Sequence, residues 1–103
     1  MSDELAVERT TNPDGSATLT VAGEIDLASA PRFRQALDEA ANTHSALDID
    51  LRAVTYFDSA GVDALFTYAM KHRIKLTIGD NRTLAAVIEV SGLGQVVTLE
   101  TGG

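Results

Sequence analysis

The chain has 103 residues, 45% of them apolar, and a formal net charge of −7. This length and composition predict one globular domain over residues 1–103 and argue against disorder. The acidic balance argues against nucleic acid and anionic membrane surfaces as partners, and the absence of cysteine excludes disulfides, thiolate zinc sites and thiol catalysis.

The first quarter of the chain has the pattern of a β-hairpin. Apolar and polar residues alternate over residues 5–10 and again over residues 17–22, as in strands with one buried face. Between them lies Asn12-Pro13-Asp14-Gly15, a cluster typical of tight turns. We expect Gly23-Glu24-Ile25-Asp26 to end the second strand.

A first helix is predicted next. Ser29 is a candidate N-cap, and Pro31 falls in the first turn, where its missing N–H costs little. Apolar residues then recur at helical spacing, and we expect the helix to fade near Asn42. The residues with this spacing are Ala30, Phe33, Ala36, Leu37, Ala40 and Ala41.

The second half of the chain alternates between strands and helices. A strand is predicted over residues 47–51, and residues 54–57 extend from it toward a second helix. Asp48 and Asp50 share one face of it, which indicates an exposed or edge-near surface. The pattern then predicts a helix over 61–72, a strand over 74–78, a helix containing Leu84, Val87 and Ile88, and a last strand over 96–99.

The predicted order is therefore β-β-α-β-α-β-α-β. Each β-α-β unit favours a parallel, right-handed crossover, and the opening hairpin adds an antiparallel pair. The predicted fold class is α/β, a single-domain mixed β-sheet covered by short helices.

The chain carries few groups suited to catalysis. His44 and His72 fall in loops or at helix ends, and no phosphate-binding loop, nucleophile elbow or metal-binding histidine pair occurs. Gly92 and Gly94 follow a helix, so a helix C-cap explains them better than a dinucleotide loop. We therefore expect no enzymatic activity, no cofactor and no metal site.

Two acidic residues mark one edge of the predicted sheet. Asp26 and Asp58 each follow a strand and precede a helix, and ligands meet parallel sheets at the carboxyl ends of strands. One interpretation is turn chemistry alone, with Asp58 or Ser59 capping the second helix.

The other interpretation makes Ser59 a modification site. A phosphate there is accommodated by the helix dipole, adds a charge of about −1.5 to −2 beside Asp58, and repels a partner that docks a carboxylate or an apolar face. Ala60 and Gly61 leave the approach open.

Several segments together resemble the STAS domain of bacterial anti-sigma factor antagonists, over nearly the whole chain. The segments are Val21-Ala22-Gly23-Glu24-Ile25-Asp26, the helix over residues 31–41, Val54-Thr55-Tyr56-Phe57-Asp58-Ser59-Ala60-Gly61, and Ser91-Gly92-Leu93. The order of elements is also that of the STAS fold.

The resemblance implies a partner-switching role. In that family the serine after the aspartate, here Ser59, is phosphorylated by the anti-sigma factor, a serine kinase of the histidine-kinase-like type. The unphosphorylated antagonist binds the anti-sigma factor and frees the sigma factor, and a serine phosphatase resets the switch. Asp26 and Asp58 match the two acidic positions around the acceptor, and Gly61 opens the helix that presents it.

The sequence departs from the family pattern at three points. Ala60 replaces a common Ser or Thr, Val62 replaces a Leu, and the family's last helix is missing or very short. These features leave open a second role, since small STAS subunits also dock on the ATPase of lipid-transport ABC systems without phosphorylation. No signal-peptide pattern occurs over residues 1–7, so we expect a cytoplasmic protein.

Overall fold

The computed structural model describes residues 4–101, so the ends of the predicted domain, residues 1–3 and 102–103, lie outside it. The order of strands and helices is the predicted one, with one short 3₁₀ helix added near the end. The strands are β1 (Ala6–Thr11), β2 (Ala17–Ile25), β3 (Ala46–Phe57), β4 (Arg73–Thr77) and β5 (Thr98–Glu100). The helices are α1 (Ala30–Ala41), α2 (Ser59–Ala69) and α3 (Arg82–Ser91), and the 3₁₀ helix is Leu93–Gln95.

All five strands form one mixed sheet in the order β1-β2-β3-β4-β5. β1 pairs antiparallel with β2, and this confirms the predicted hairpin, whereas the other neighbours are parallel. Every crossover moves along the sheet in the same direction, so right-handed connections place all three helices on one face. The predicted α/β class is confirmed, with helices covering a single face.

The core lies between that face and the helices. Buried apolar side chains alternate along the strands and meet the inner stripe of each helix in one cluster. Its largest fully buried members are Phe33, Leu19, Ile25, Leu37, Leu47, Ile49, Leu51, Leu65, Leu76, Ile78, Leu84 and Ile88.

The central strand β3 contains two irregularities that the sequence pattern did not reveal. The pairing with β2 shifts between Thr20 and Ala22 and again between Gly23 and Glu24, and β3 supplies the extra residues. Buried side chains in β3 therefore change spacing from two residues to three at Leu51, Val54 and Phe57. The two predicted segments thereby form a single strand of 12 residues.

The edge-near interpretation of Asp48 and Asp50 is wrong, because β3 is the middle strand of the sheet. Both residues lie half-buried on the face without helices. Lys75 Nζ lies 3.6 Å from Asp48 and 3.2 Å from Glu100, so one lysine links three strands. Arg52 binds Asp50 through two nitrogens at 3.0 and 2.8 Å, and this contact lowers the pKa of the Asp50 carboxyl.

The predicted boundaries of α2 and β5 differ most from the observed ones. β2 ends at Ile25, within the segment predicted to end it, where its parallel pairing with β3 also ends. α2 begins at Ser59 because Asp58 supplies the cap, and it ends at Ala69. β5 begins at Thr98 because the amide of Val96 still donates to the Leu93 carbonyl at the 3₁₀ helix.

Within residues 4–101, no helix is long and apolar enough to cross a membrane.

The Lys75 contacts predict how firmly β5 is held. In Lys75→Met we expect the Ile78 amide, which donates to the Glu100 carbonyl at 3.0 Å, to exchange with solvent roughly two- to fivefold faster. High salt should remove most of the difference. Arg73→Met is the control, since Arg73 is exposed on the same strand and forms no ion pair with residues 4–101. Unchanged exchange in Lys75→Met would contradict this account of β5.

Candidate functional site

The start of α2 is the focus of the predicted site. Asp58 is its N-cap, with extended backbone and a carboxylate that accepts from the Ala60 N–H at 3.0 Å. The Asp58 carbonyl accepts from the N–H groups of Gly61 and Val62 at 3.1 and 3.2 Å. Ser59 is the first helical residue and is exposed. Of the two predicted candidates, the cap is therefore Asp58, and this leaves the Ser59 side chain on the surface.

Gly61 lies inside the protein rather than on its surface. A Cβ at this position would lie 2.7 Å from Phe57 Cε1 and 2.8 Å from Ile25 Cγ2. A larger residue here requires the Phe57 and Ile25 side chains or the start of α2 to shift. A contribution of Gly61 to partner binding would therefore act through the position of α2, whereas Ala60 is half-exposed beside Ser59.

Asp26 and Asp58 lie at the same edge of the sheet, as predicted. Ile25 pairs with Phe57 across neighbouring parallel strands, and the Asp58 N–H donates to the Ile25 carbonyl at 3.3 Å. The two side chains open into different clefts, Asp58 toward α3 and Asp26 toward α1 and Glu4.

Ser29 has an unexpected role beside Asp26. Its backbone is at the predicted N-cap position of α1, yet its side chain caps no helical N–H. Instead its hydroxyl donates to the Glu24 carbonyl at 2.8 Å and lies 3.1 Å from the Asp26 carboxylate. The Ser29 N–H also donates to that carboxylate at 2.9 Å. These contacts, the backbone one foremost, lower the pKa of Asp26 and keep it ionised.

A surface cleft between α2 and α3 adjoins Ser59, and sequence reasoning did not identify it. Its volume is about 390 Å³, and its walls are largely apolar. The lining residues are Asp58, Ser59, Val62, Ala86, Val87, Val90 and Ser91. The sequence did contain one indication of the cleft, because α3 carries apolar residues on its outer side as well as on its core side.

Apolar side chains are exposed around this edge of the sheet. Leu27, directly after Asp26, is 81% exposed; Tyr56, near the end of β3, is 51% exposed; and Val90 in the cleft is 88% exposed. Of the three, Val90 lines the same cleft as Ser59, and exposed apolar surface beside a candidate site is typical of interaction surfaces.

The two histidines and Gly92 make structural contacts away from the start of α2. His44 Nδ1 lies 2.8 Å from the Gly15 carbonyl in the hairpin turn, and His72 stacks on Tyr68 with ring centroids 6.3 Å apart. Gly92 ends α3 with φ of +79°, which confirms the predicted C-cap.

Gly61→Ala tests the close approach of α2 to the strands. We expect it to lower the free energy of unfolding by about 1–3 kcal/mol, because the new methyl group overlaps Phe57 and Ile25. Chemical denaturation measures the change. Gly94→Ala is the matched control, since its Cβ would lie 3.7 Å from Ile88, an ordinary contact. Equal stabilities of the two variants would refute the steric argument.

Asp58 variants test the cap. Asp58→Ala should lower the free energy of unfolding by about 1 kcal/mol, because the Ala60 N–H loses its acceptor. Asp58→Asn, which keeps an acceptor oxygen, should retain most of the stability. Equal losses in both variants would show that the carboxylate charge, rather than the cap, stabilises the helix start.

Comparisons with known proteins agree on the fold. A family model described as "Mlab, STAS domain" matches residues 8–99. No curated protein sequence matches the chain. An anti-sigma factor antagonist from Mycobacterium paratuberculosis superposes with a TM-score of 0.83 at 27% identity, covering 97% of this chain and 90% of that one.

Two structures of the anti-sigma factor antagonist SpoIIAA are also similar, both at 19% identity. The unphosphorylated form has a TM-score of 0.74 and covers 93% of this chain and 89% of its own. The phosphorylated form, described as a Bacillus cell fate determinant, has a TM-score of 0.67 and covers 93% and 92%. Because the family model spans nearly the whole sequence, the chain belongs to the STAS domain family.

Proposed function

We propose that this protein is an anti-sigma factor antagonist whose binding is controlled by phosphorylation of Ser59. The observation that carries the proposal is the position of Ser59, exposed on the first turn of α2 beside an apolar cleft. The similarity to an antagonist at 27% identity over 97% of the chain supports the same role.

The chemistry at Ser59 belongs to the partner. The hydroxyl oxygen forms a bond to the γ-phosphorus of ATP, the bond from that phosphorus to ADP breaks, and the hydroxyl proton is released. A histidine-kinase-like anti-sigma factor supplies the ATP site, and a serine phosphatase hydrolyses the ester. The chain itself then needs no cofactor, no metal and no catalytic residue.

The local structure allows this modification without unfolding. The Asp58 carboxylate, rather than Ser59, accepts the hydrogen bond from the Ala60 N–H. A phosphate on Ser59 therefore breaks no capping hydrogen bond. The helix dipole favours a negative group at this position by about 0.3–1 kcal/mol. Phosphorylation therefore changes the charge of the partner surface and leaves the fold intact.

The proposed partner surface contains Asp26, Asp58, Ser59 and Ala60, with Gly61 beneath it. The unphosphorylated surface binds the anti-sigma factor and releases the sigma factor. The phosphate adds a charge of about −1.5 to −2 next to the Asp58 carboxylate and lowers affinity for a surface that contacts Ser59 directly.

The capping geometry supports a second candidate function. Because Asp58 alone caps α2, Ser59 can act as a docking residue without covalent change. The chain would then be a STAS subunit of a lipid-transport ABC system, bound to its ATPase. Phosphorylation would have no part in that complex.

Binding measurements with purified partners separate the two functions. Wild type, Ser59→Ala and Ser59→Glu are titrated against the organism's histidine-kinase-like anti-sigma factors and its lipid-transport ATPases. We expect an anti-sigma factor to bind wild type and Ser59→Ala alike, and Ser59→Glu to bind at least about tenfold more weakly. Ser45→Glu, exposed at the opposite edge of the sheet, is the charge-matched control and should bind normally.

Two results would contradict the proposal. One is binding to the ATPase alone, which favours the second function. The other is equal loss of affinity in Ser59→Glu and Ser45→Glu, which attributes the effect to total charge rather than to position.

A further inference from the structure

We propose that the cleft between α2 and α3 receives an apolar anchor side chain of the anti-sigma factor, and that basic residues flank this anchor. The inference rests on the proposed function and specifies the partner chemistry at the same site. The cleft extends from Asp58 and Ser59 at one end to Val90 and Ser91 at the other.

Apolar surface is exposed inside the cleft. Val90 is 88% exposed, Ala86 is exposed, and Val62 and Val87 contribute partly or largely buried walls. Covering such surface is favourable in proportion to its area, and a protein gains nothing by leaving it in water. Among the residues lining the cleft, Val90 therefore has the most apolar surface to cover on binding a partner.

Helix α3 carries apolar residues on two sides. Leu84 and Ile88 face the core, each 1% exposed. Ala86 and Val90, one turn apart, line the cleft on the other side together with Val87. A surface helix of a monomer needs only the core stripe, so the second stripe indicates a second apolar partner.

The surroundings of the cleft are complementary to a basic partner. None of the residues lining the cleft is basic, and its one charged residue is Asp58. Asp63, exposed, lies one helical turn after Ser59 on α2, whereas Glu89 of α3 lines a different cleft, with Ile88 and Gly92. Arg82 of α3 lines a different cleft, with Gly79 and Asp80. The whole chain has a charge of −7. Lysine or arginine residues beside the anchor fit these surroundings, whereas a second copy of the chain would be repelled.

The open shape of the cleft favours a protein side chain over a small molecule. Pockets for small ligands bury roughly 70–90% of the ligand surface. Here the wall at Val90 is itself almost fully exposed, so a lone ligand would stay largely in water. An anchor side chain is covered from outside by its own protein.

The anchor also explains how a phosphate breaks a complex with a basic partner. An apolar side chain seated beside Ser59 offers no hydrogen bond or counterion to a phosphate, and an unpaired buried charge is costly. Cations that pair with the exposed Asp63 lie outside the cleft instead. Phosphorylation therefore expels the anchor through desolvation, even though Asp63 still attracts the partner.

The test measures affinity and contact separately. Wild type, Val90→Asp, Met70→Asp and Ser59→Glu are titrated calorimetrically against the purified anti-sigma factor that binds wild type. Met70 is the matched control, since it is 75% exposed and lies at the far end of α2. We expect Val90→Asp to bind at least about tenfold more weakly and Met70→Asp to bind within about twofold of wild type. Melting curves should be unchanged in both, because neither side chain is buried.

A photo-crosslinking residue at position 90 should attach to an apolar residue of the anti-sigma factor that is followed or preceded by lysine or arginine. Native mass spectrometry of the chain alone should show a monomer without a bound small molecule. A dimer or a bound apolar molecule that Val90→Asp loses would overturn the assignment of the anchor.

The outcomes distinguish this inference from the proposed function. Weak binding in Ser59→Glu with normal binding in Val90→Asp overturns the cleft and leaves the proposed function standing. Weak binding in Val90→Asp with normal binding in Ser59→Glu supports the cleft and overturns phosphorylation control. If no anti-sigma factor binds wild type, both are overturned.

Discussion

The close approach of α2 to the ends of β2 and β3 is the constraint on which the site depends. It requires the absence of a side chain at Gly61, where a Cβ would lie 2.7 Å from Phe57 and 2.8 Å from Ile25. With the helix start fixed there, Asp58 caps the first turn and Ser59 faces outward. Val62, one residue after Gly61, then forms a wall of the cleft.

The one-sided arrangement of the helices separates the two faces of the sheet. The face without helices carries Asp48, Asp50 and Lys75. Lys75 pairs with Asp48 and Glu100 on neighbouring strands, whereas Asp50 pairs with Arg52 of its own strand. The proposed partner surface lies at the carboxyl edge, formed by strand ends and helices. A charge added at Ser59 is therefore remote from the groups that hold β4 and β5 in place, and the fold can tolerate it while the partner surface changes.

The sequence predicted the parts of the fold that follow from periodicity and turn chemistry. The hairpin around Asn12-Pro13-Asp14-Gly15 and the three helices followed from spacing and turn residues, and the parallel pairing followed from the β-α-β order. The positions of Asp26 and Asp58 at one edge followed from parallel topology. What the sequence missed depends on register and on contacts between distant residues. The irregularities of β3 appear only when it pairs with β2, and the middle position of Asp48 appears only when β4 binds beside it.

In the candidate site, too, the features that depend on contacts between distant residues could not be predicted from the sequence. From the sequence, Gly61 was expected to leave the approach to Ser59 open. In the structure, Gly61 is buried by residues from two different strands. The cleft required α2 and α3 to meet, and no periodicity within one helix predicts that. The apolar outer side of α3, at Ala86 and Val90, was the one local signal available.

The most direct test of the central claim is to map the phosphate. The chain is incubated with ATP and the anti-sigma factor that binds it, and the product is analysed by peptide mass spectrometry and by binding. We expect one phosphate, at Ser59, none in Ser59→Ala, and loss of the complex as phosphorylation proceeds. A phosphate on any other residue, or an intact complex after full phosphorylation of Ser59, would contradict it.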